Sequence, residues 1–297
     1  MTSRRPPAVA VIVPTRALPA RRPLLQRAIA SVLSQEGVHA VPLIVVNGNE
    51  TGSQAVWTWC SDTRVTVTAI ERADLPRALQ VGRRLVETPF FTELDDDDEL
   101  RPDALATRVR ALAERADADV VVTNGLRRTS EGDCLHVPDM AVVCNDPLRA
   151  LLRQNWLLPG SWLCRTDRVG DDVFDGMPRY RECTYLALVF STRYRTVFVN
   201  EPTVVYHADT IASESKSREY IVGSVAASQM LLTLEMPPDV RAQFRRQFLA
   251  SGYRSIARVY LTEHHFIAAL GAYLRSCLQP GGLQYVLRRS FVRRPKP

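Results

Sequence analysis

Apolar residues along the first 125 positions alternate between short unbroken runs and runs spaced three and four apart. Val9 to Val13 is a continuous apolar, largely β-branched run closed by Pro14, the pattern of a strand buried on both faces. Leu24, Leu25, Ala28, Ile29, Val32 and Leu33 then fall at helical spacing, with Pro23 near the start. Val41 to Val46 reads as a second buried strand ending in the polar turn Asn47-Gly48-Asn49-Glu50. A short helix over Gln54 to Cys60, a strand over Arg64 to Ile70 and a helix over Ala78 to Val86 follow. Phe90 to Leu94 is a short strand running into Asp95-Asp96-Asp97-Asp98. Pro102 to Ala116 is an amphipathic helix, and Asp119 to Thr123 another strand.

This alternation predicts a mainly parallel sheet with helices on both faces. The polar turns after Val13, Val46 and Leu94 then share the rim beyond the strands' carboxyl ends, where such sheets bind ligands. From Leu126 to Arg181 the pattern weakens. Thr129 to Asp133, Pro159 to Ser161 and Gly170 to Pro178 read as loops, and Pro147 to Asn155 as a helix. Thr196 to Val199 and Thr203 to Tyr206 read as two late strands. From Glu219 onward the pattern is helical, broken at Pro237-Pro238 and at Pro280-Gly281-Gly282. The expected division is an α/β domain over 1–218 and a helical extension over 219–297.

Composition adds little to this outline. At 297 residues, 46% hydrophobic and 24% charged, the chain belongs with folded proteins. The net charge of +6 comes almost wholly from arginine, with lysine only at 216 and 296. Such basicity suits an anionic substrate, a nucleic acid or an acidic membrane surface. No basic–aromatic motif accompanies it, so no nucleic-acid partner is expected. The six cysteines form no Cys-x-x-Cys pair, so no structural zinc site is expected, and reduced thiols in a cytoplasmic protein are the simplest reading. No segment approaches the ~20 apolar residues of a spanning helix. The arginines at 241, 245, 246, 288, 289, 293 and 294 make the C-terminal region basic; a solvated face is the favoured reading, and a peripheral contact with an inner membrane face the less favoured alternative.

Four consecutive aspartates after an apolar strand repel one another and raise one another's pKa. A Mg²⁺ or Mn²⁺ ion removes that cost, because hard cations prefer carboxylate oxygens. The other reading is a helix start, since Asp98 and Glu99 precede Pro102 and acids there complement the helix dipole.

The stretch Phe90-Phe91-Thr92-Glu93-Leu94-Asp95-Asp96-Asp97-Asp98-Glu99-Leu100-Arg101-Pro102 closely resembles the Asp-x-Asp region of the family 2 inverting glycosyltransferases, which have the GT-A fold. Val11-Ile12-Val13-Pro14-Thr15 resembles that family's N-terminal strand, and Arg27-Ala28-Ile29-x-Ser31-Val32-Leu33-x-Gln35 the helix after it. The resemblance is good over residues 8–105 and weaker over 155–215. It implies a nucleotide-sugar donor, UDP- or dTDP-linked by preference. Asp95 would face the ribose, Asp97 and Asp98 would hold the metal and diphosphate, and Asp96 would lie between them in the donor site. Pro14 and Thr15 would line the nucleoside pocket with Arg16 nearby.

Asn47 and Asn49 stand where the family carries Asp-Asp-Gly-Ser, and an amide can still accept a hydrogen bond from the base. Arg77 would replace the family's phosphate-facing arginine. Trp162 falls where the sugar and acceptor pocket is shaped. His207 resembles the family's late metal-shell histidine, followed by Ser213 and Ser215. The family's catalytic base is the Asp of a Glu-Asp pair that begins a helix. Here the pair reads Glu182-Cys183, making Glu182 the base candidate and Asp175 the second. Two alternatives remain: a non-catalytic sugar-nucleotide-binding protein descended from a transferase, and a sugar-phosphate nucleotidyltransferase. The second would need a glycine-rich phosphate turn where this chain has Pro14-Thr15-Arg16-Ala17-Leu18.

Overall fold

The computed structural model describes residues 6–48, 62–210 and 217–279. Expectations for Asn49, the helix over Gln54 to Cys60, Ser213, Ser215 and the arginines from 288 onward lie outside these residues. The chain divides into two compact units, one of residues 1–177 with 183–210 and one of residues 178–182 with 211–297.

The first unit is built on the strand β1 (Ala8–Thr15). Its apolar residues are buried on both faces because parallel neighbours and covering helices leave neither face to water. β2 (His39–Asn47) pairs with β1 in parallel, Val13 opposite Ile44. β3 (Thr66–Ile70) extends the sheet beyond β2 in parallel, and β4 (Phe90–Glu93) lies parallel on the other side of β1. The carboxyl ends of β1, β2 and β4 therefore share one rim, as their polar turns imply.

The rest of the sheet mixes directions. β8 (Trp162–Arg165) runs antiparallel to β4 and to β6 (Val120–Thr129), and β9 (Thr196–His207) runs parallel to β6. The two-residue β5 (Glu99–Leu100) closes the order β3-β2-β1-β4-β8-β6-β9-β5, while β7 (Gly132–Leu135) forms a hairpin with β6. The two expected late strands are one. Pro202 does not end β9, because register shifts at Asn124 absorb the irregularity. Asn124 Nδ2 donates to Asn200 Oδ1 there at 2.9 Å.

Helices cover the sheet. α1 (Arg22–Leu33) buries Leu25, Ala28, Ile29 and Val32, the residues its spacing selects. α2 (Leu75–Arg84) is capped by Asp74, whose side chain accepts from Arg77 N. Gly82 sits on it where a Cβ would come within 2.5 Å of Ile12 Cγ2, so the helix approaches β1 as closely as it does only with glycine there. α3 (Ala104–Glu114) carries the fully buried Arg108. Its guanidinium donates to Thr203 Oγ1 at 2.6 Å, to the Trp162 carbonyl at 3.1 Å and to the Gly160 carbonyl. Burial pushes it down to about 9. Arg108→Ala takes this donor from the Gly160 carbonyl, leaves the Trp162 carbonyl and Thr203 Oγ1 with only their bonds to Thr92 and Thr123, and opens a cavity, so a loss of about 4 kcal/mol is expected in urea unfolding. A change under about 1 kcal/mol would mean that the arginine ties nothing together. The short helices α4 (Met140–Asn145) and α5 (Pro147–Arg153) precede β8. α6 (Glu182–Arg193) buries seven consecutive residues from Thr184 to Phe190.

The second unit is helical: α7 (Arg218–Leu231), α8 (Pro238–Phe244), α9 (Ala250–Thr262) and α10 (Phe266–Leu278). A five-residue π turn, Arg245–Leu249, joins α8 to α9. Val225, Leu249, Ile256, Ala257 and Ala272 form its core. Among the described residues no helix is long and apolar enough to cross a membrane.

Candidate active site

The aspartate loop leaves β4 at the shared rim and is gripped by one face of α1. Arg27, Ser31 and Gln35 recur every four residues and so line up along that face. Arg27 donates to the Asp97 carbonyl. Ser31 Oγ accepts Leu100 N at 3.1 Å. Gln35 donates to the Arg101 carbonyl at 2.7 Å and accepts Leu105 N at 2.9 Å. The helix residues that carry the family resemblance thus hold the backbone on which the carboxylates stand.

Those carboxylates divide three to one. Asp95, Asp97 and Asp98 each bring an oxygen to one place, all within 4.8 Å of one another. Asp96 faces the other way and is buried. Thr15 Oγ1 donates to its Oδ2 at 2.5 Å, and Arg21 bonds both its oxygens. The donor-site role expected of Asp96 is therefore corrected: its oxygens are committed within the protein. Thr15 is likewise a buried turn clamp that also accepts Ala17 N at 3.0 Å. Pro14 lies buried opposite Val45, with Arg16 half-buried beyond it at the strand end.

The electrostatics of the group of three are unfavourable without a counter-ion. Burial, and then the charges of Asp98, Asp97, Glu93 and Asp96, push Asp95 well above the usual carboxylate range. Asp98 rises in the same direction, from burial and the Asp97 charge, although His207 N donates to its Oδ1 at 2.9 Å. Its Oδ2 is buried with no hydrogen-bond partner. Burial and the charges of Asp98, Asp95 and Asp97 also push the Tyr206 phenol up to about 12. Arg21 and Arg27 stand beside the group: the Arg21 guanidinium reaches Asp97 Oδ2 at 3.2 Å, and the charge of Arg27 acts on Asp98. Nothing in the composition had singled out Arg21. Three carboxylates with oxygens close together, one of the three residues also carrying a buried, unpartnered oxygen, fit a divalent cation.

The remaining site residues fall as follows. The sequence grouped His207 with Asp97 and Asp98 and set Asp95 apart for the ribose. The structure groups Asp95 with Asp97 and Asp98, and turns the His207 ring to Glu99, Nε2 to Oε1 at 2.7 Å. Asn47, at the end of β2, accepts Asp74 N on its amide oxygen at 2.6 Å. It thereby ties β2 to the start of α2. Arg77 donates to Gln80 at 2.5 Å, and Gln80 donates to Asp175 Oδ1 at 2.5 Å. Glu182 begins α6 and accepts Tyr180 N at 2.8 Å, which fixes its carboxylate at the helix start.

Trp162 needs a correction. It is fully buried, edge-on to Phe91 and Phe190, and its indole N–H donates to Glu93 at 3.2 Å. It is a core side chain with no face left for a sugar. The buried Glu93 was missed by the sequence reading because it is indistinguishable there from the acidic run beside it.

Residues 10–162, just over half the chain, match the sequence model of Glycosyl transferase family 2. The succinoglycan biosynthesis protein ExoO of Rhizobium meliloti (strain 1021) is 33% identical over 129 residues, covering 39% of this chain and 36% of that protein. The chain therefore matches little more than a third of that relative's length. The structure resembles S. aureus TarS 1-349 in complex with UDP-GlcNAc, with a TM-score of 0.64 at 14% identity over 94% of this chain and 83% of that one. S. aureus TarS in a second structure gives 0.53 at 12% identity, over 90% and 54%. The sheet order, the rim and the family match together make this chain a GT-A-fold member of glycosyl transferase family 2.

Proposed function

We propose that the chain transfers a sugar, with inversion at the anomeric carbon, from a nucleotide-sugar donor to an acceptor nucleophile. The observation that carries this reading is the convergence of Asp95, Asp97 and Asp98 at the strand-end rim, with Asp98 Oδ2 buried and unpartnered. These three residues would hold Mn²⁺ or Mg²⁺, which when bound neutralises charge developing on the leaving diphosphate. A UDP- or dTDP-linked donor is favoured, and the TarS structure bears a UDP sugar.

The chain's own residues divide the rest of the work. Arg27, Ser31 and Gln35 keep the aspartate loop in one shape, so the carboxylates need no reorganisation when the donor arrives. His207 orients Asp98 through its backbone N–H. Arg21 balances charge on Asp96 and Asp97. Glu182 accepts the acceptor hydroxyl's proton as that oxygen bonds to the anomeric carbon. The bond from carbon to diphosphate oxygen breaks, and the nucleoside diphosphate leaves with the electron pair.

The test is nucleoside diphosphate release from a panel of nucleotide sugars, with Mn²⁺ and with chelator. Metal-dependent release from one donor is the expected result. Metal-dependent donor binding with no release in the presence of varied acceptors would favour a sugar-nucleotide-binding protein, for which Cys183 in place of the usual Asp is the argument.

A further inference from the structure

Burial lowers the pKa of three arginines among the described residues: Arg83, Arg108 and Arg181. Two of them have their N–H groups met inside the protein. Arg83 donates to the Thr166 and Val169 carbonyls, each at 2.7 Å, and Arg108 to two carbonyls and to Thr203. Arg181 is different. Its Nε is buried with no hydrogen-bond partner, and among the described residues no carboxylate forms an ion pair with it. Its guanidinium lies 5.2 Å from the centre of the Phe248 ring. A ring face offsets part of the cost of a buried cation, but the N–H edge still calls for an acceptor.

The segment that carries Arg181 is held under strain. Tyr180 has φ of +76°, a region that bulky side chains rarely adopt. Its ring meets Tyr220 edge-on at 5.5 Å between centroids, and the Arg179 guanidinium lies 4.8 Å from its centre. α7 makes room for it with Gly223, where a Cβ would come within 2.5 Å of that ring. Tyr180 N donates to Glu182 Oε1. Strain that packing enforces in this way collects at ligand sites. Here it sets the direction of the next two residues, Arg181 over Phe248 and Glu182 at the start of α6. All of these residues belong to the second unit.

We propose that Arg181 seats an oxyanion, a phosphate or carboxylate, carried by the acceptor. This rests on the reading of Glu182, one residue on, as the group that takes the acceptor's proton. The planar guanidinium offers paired donors that match the oxygens of either anion. A bound anion balances the charge that burial penalises. Held there, the acceptor presents its hydroxyl in one place relative to Glu182.

The first measurement is the melting temperature of the full chain, without metal or donor, in chloride, phosphate and acetate at matched ionic strength. Phosphate, acetate or both should raise it in the parent protein. Arg181→Met keeps an apolar chain over Phe248 and should need at least about tenfold more anion for the same shift. In chloride it should melt no lower than the parent, because it loses a buried cation and no hydrogen bond. Arg181→Lys should keep part of the anion response. An arginine that is only structural gives the reverse: lower melting in chloride and an unchanged anion response. That result overturns the proposal, as does a parent that responds to neither anion.

The second measurement is transfer to acceptor pairs that differ in one group, a hexose against its monophosphate and a hexose against its uronic acid. The parent should favour an anionic member at least about tenfold in kcat/KM, and Arg181→Met should lose that preference. Equal use of both members by the parent overturns the proposal. Absence of transfer with every pair counts against the glycosyl-transfer reading alone, since the melts decide Arg181 without turnover.

Discussion

Replacing Asp97 and Asp98 together by alanine should abolish metal-dependent donor binding and lower turnover by at least about 10³-fold, the scale expected when charge stabilisation of a leaving group is lost. The informative comparison is with Asp96, one residue away. Asp98→Asn keeps an acceptor for His207 N, removes a charge from a crowded buried group and leaves an amide NH₂ in place of the unpartnered oxygen. Relief of repulsion and the new unmet donor are each about 1–2 kcal/mol and oppose one another. Metal-free stability should therefore move by less than about 1 kcal/mol, while metal-induced stabilisation disappears.

Asp96→Asn should do the opposite. It breaks the part-buried ion pair with Arg21 and unsettles the Thr15 hydroxyl, costing about 2–4 kcal/mol, with Mn²⁺-induced stabilisation retained. Thermal melts of both variants with and without Mn²⁺ read both quantities. If Asp96→Asn lost the metal response while Asp98→Asn kept it, the three-to-one division of the aspartates would be reversed.

Glu182→Gln should reduce kcat by about 10² to 10⁴ while donor affinity stays within about twofold, because the lost function is proton removal and not binding. Gln retains the shape and still accepts Tyr180 N, so the start of α6 should survive. Asp175→Asn should cost less than about tenfold, since that carboxylate already accepts Gln80 Nε2 and its amide counterpart can do the same. Single-turnover transfer combined with donor titration separates the two. A fully active Glu182→Gln beside an inactive Asp175→Asn would move the base to Asp175. Full activity in both would remove the proton-transfer role from this turn.

The parallel half of the sheet was legible in the sequence because each strand there is a continuous apolar run buried on both faces. Val9 to Val13, Val41 to Val46 and Phe90 to Leu94 become β1, β2 and β4 with boundaries shifted by only a few residues. β7 and β8 were not legible. Each is four residues long, and β7 has no apolar alternation and is exposed throughout. Its pairing comes from the tight turn at Gly132, where φ is +122°. The pair of late strands was misjudged for a related reason: Pro202 signals an ending locally, and only the bulged partner β6 lets the strand continue.

The sequence by itself determined the fold class, the rim on which a ligand would sit and the presence of a concentrated acidic group beside it. Those follow from local periodicity and strand direction, which neighbouring residues encode. Tertiary structure alone decided what each acid does. Consecutive aspartates look equivalent in a string of letters, yet turning of the loop sends Asp96 to Thr15 and Arg21, about 80 and 75 positions away. The same turn leaves Asp95, Asp97 and Asp98 facing one another. Trp162 and His207 were decided in the same way, by partners distant in sequence that bury one ring and engage the other. Burial and long-range pairing are properties of the packed sheet, and no window of neighbouring residues contains them.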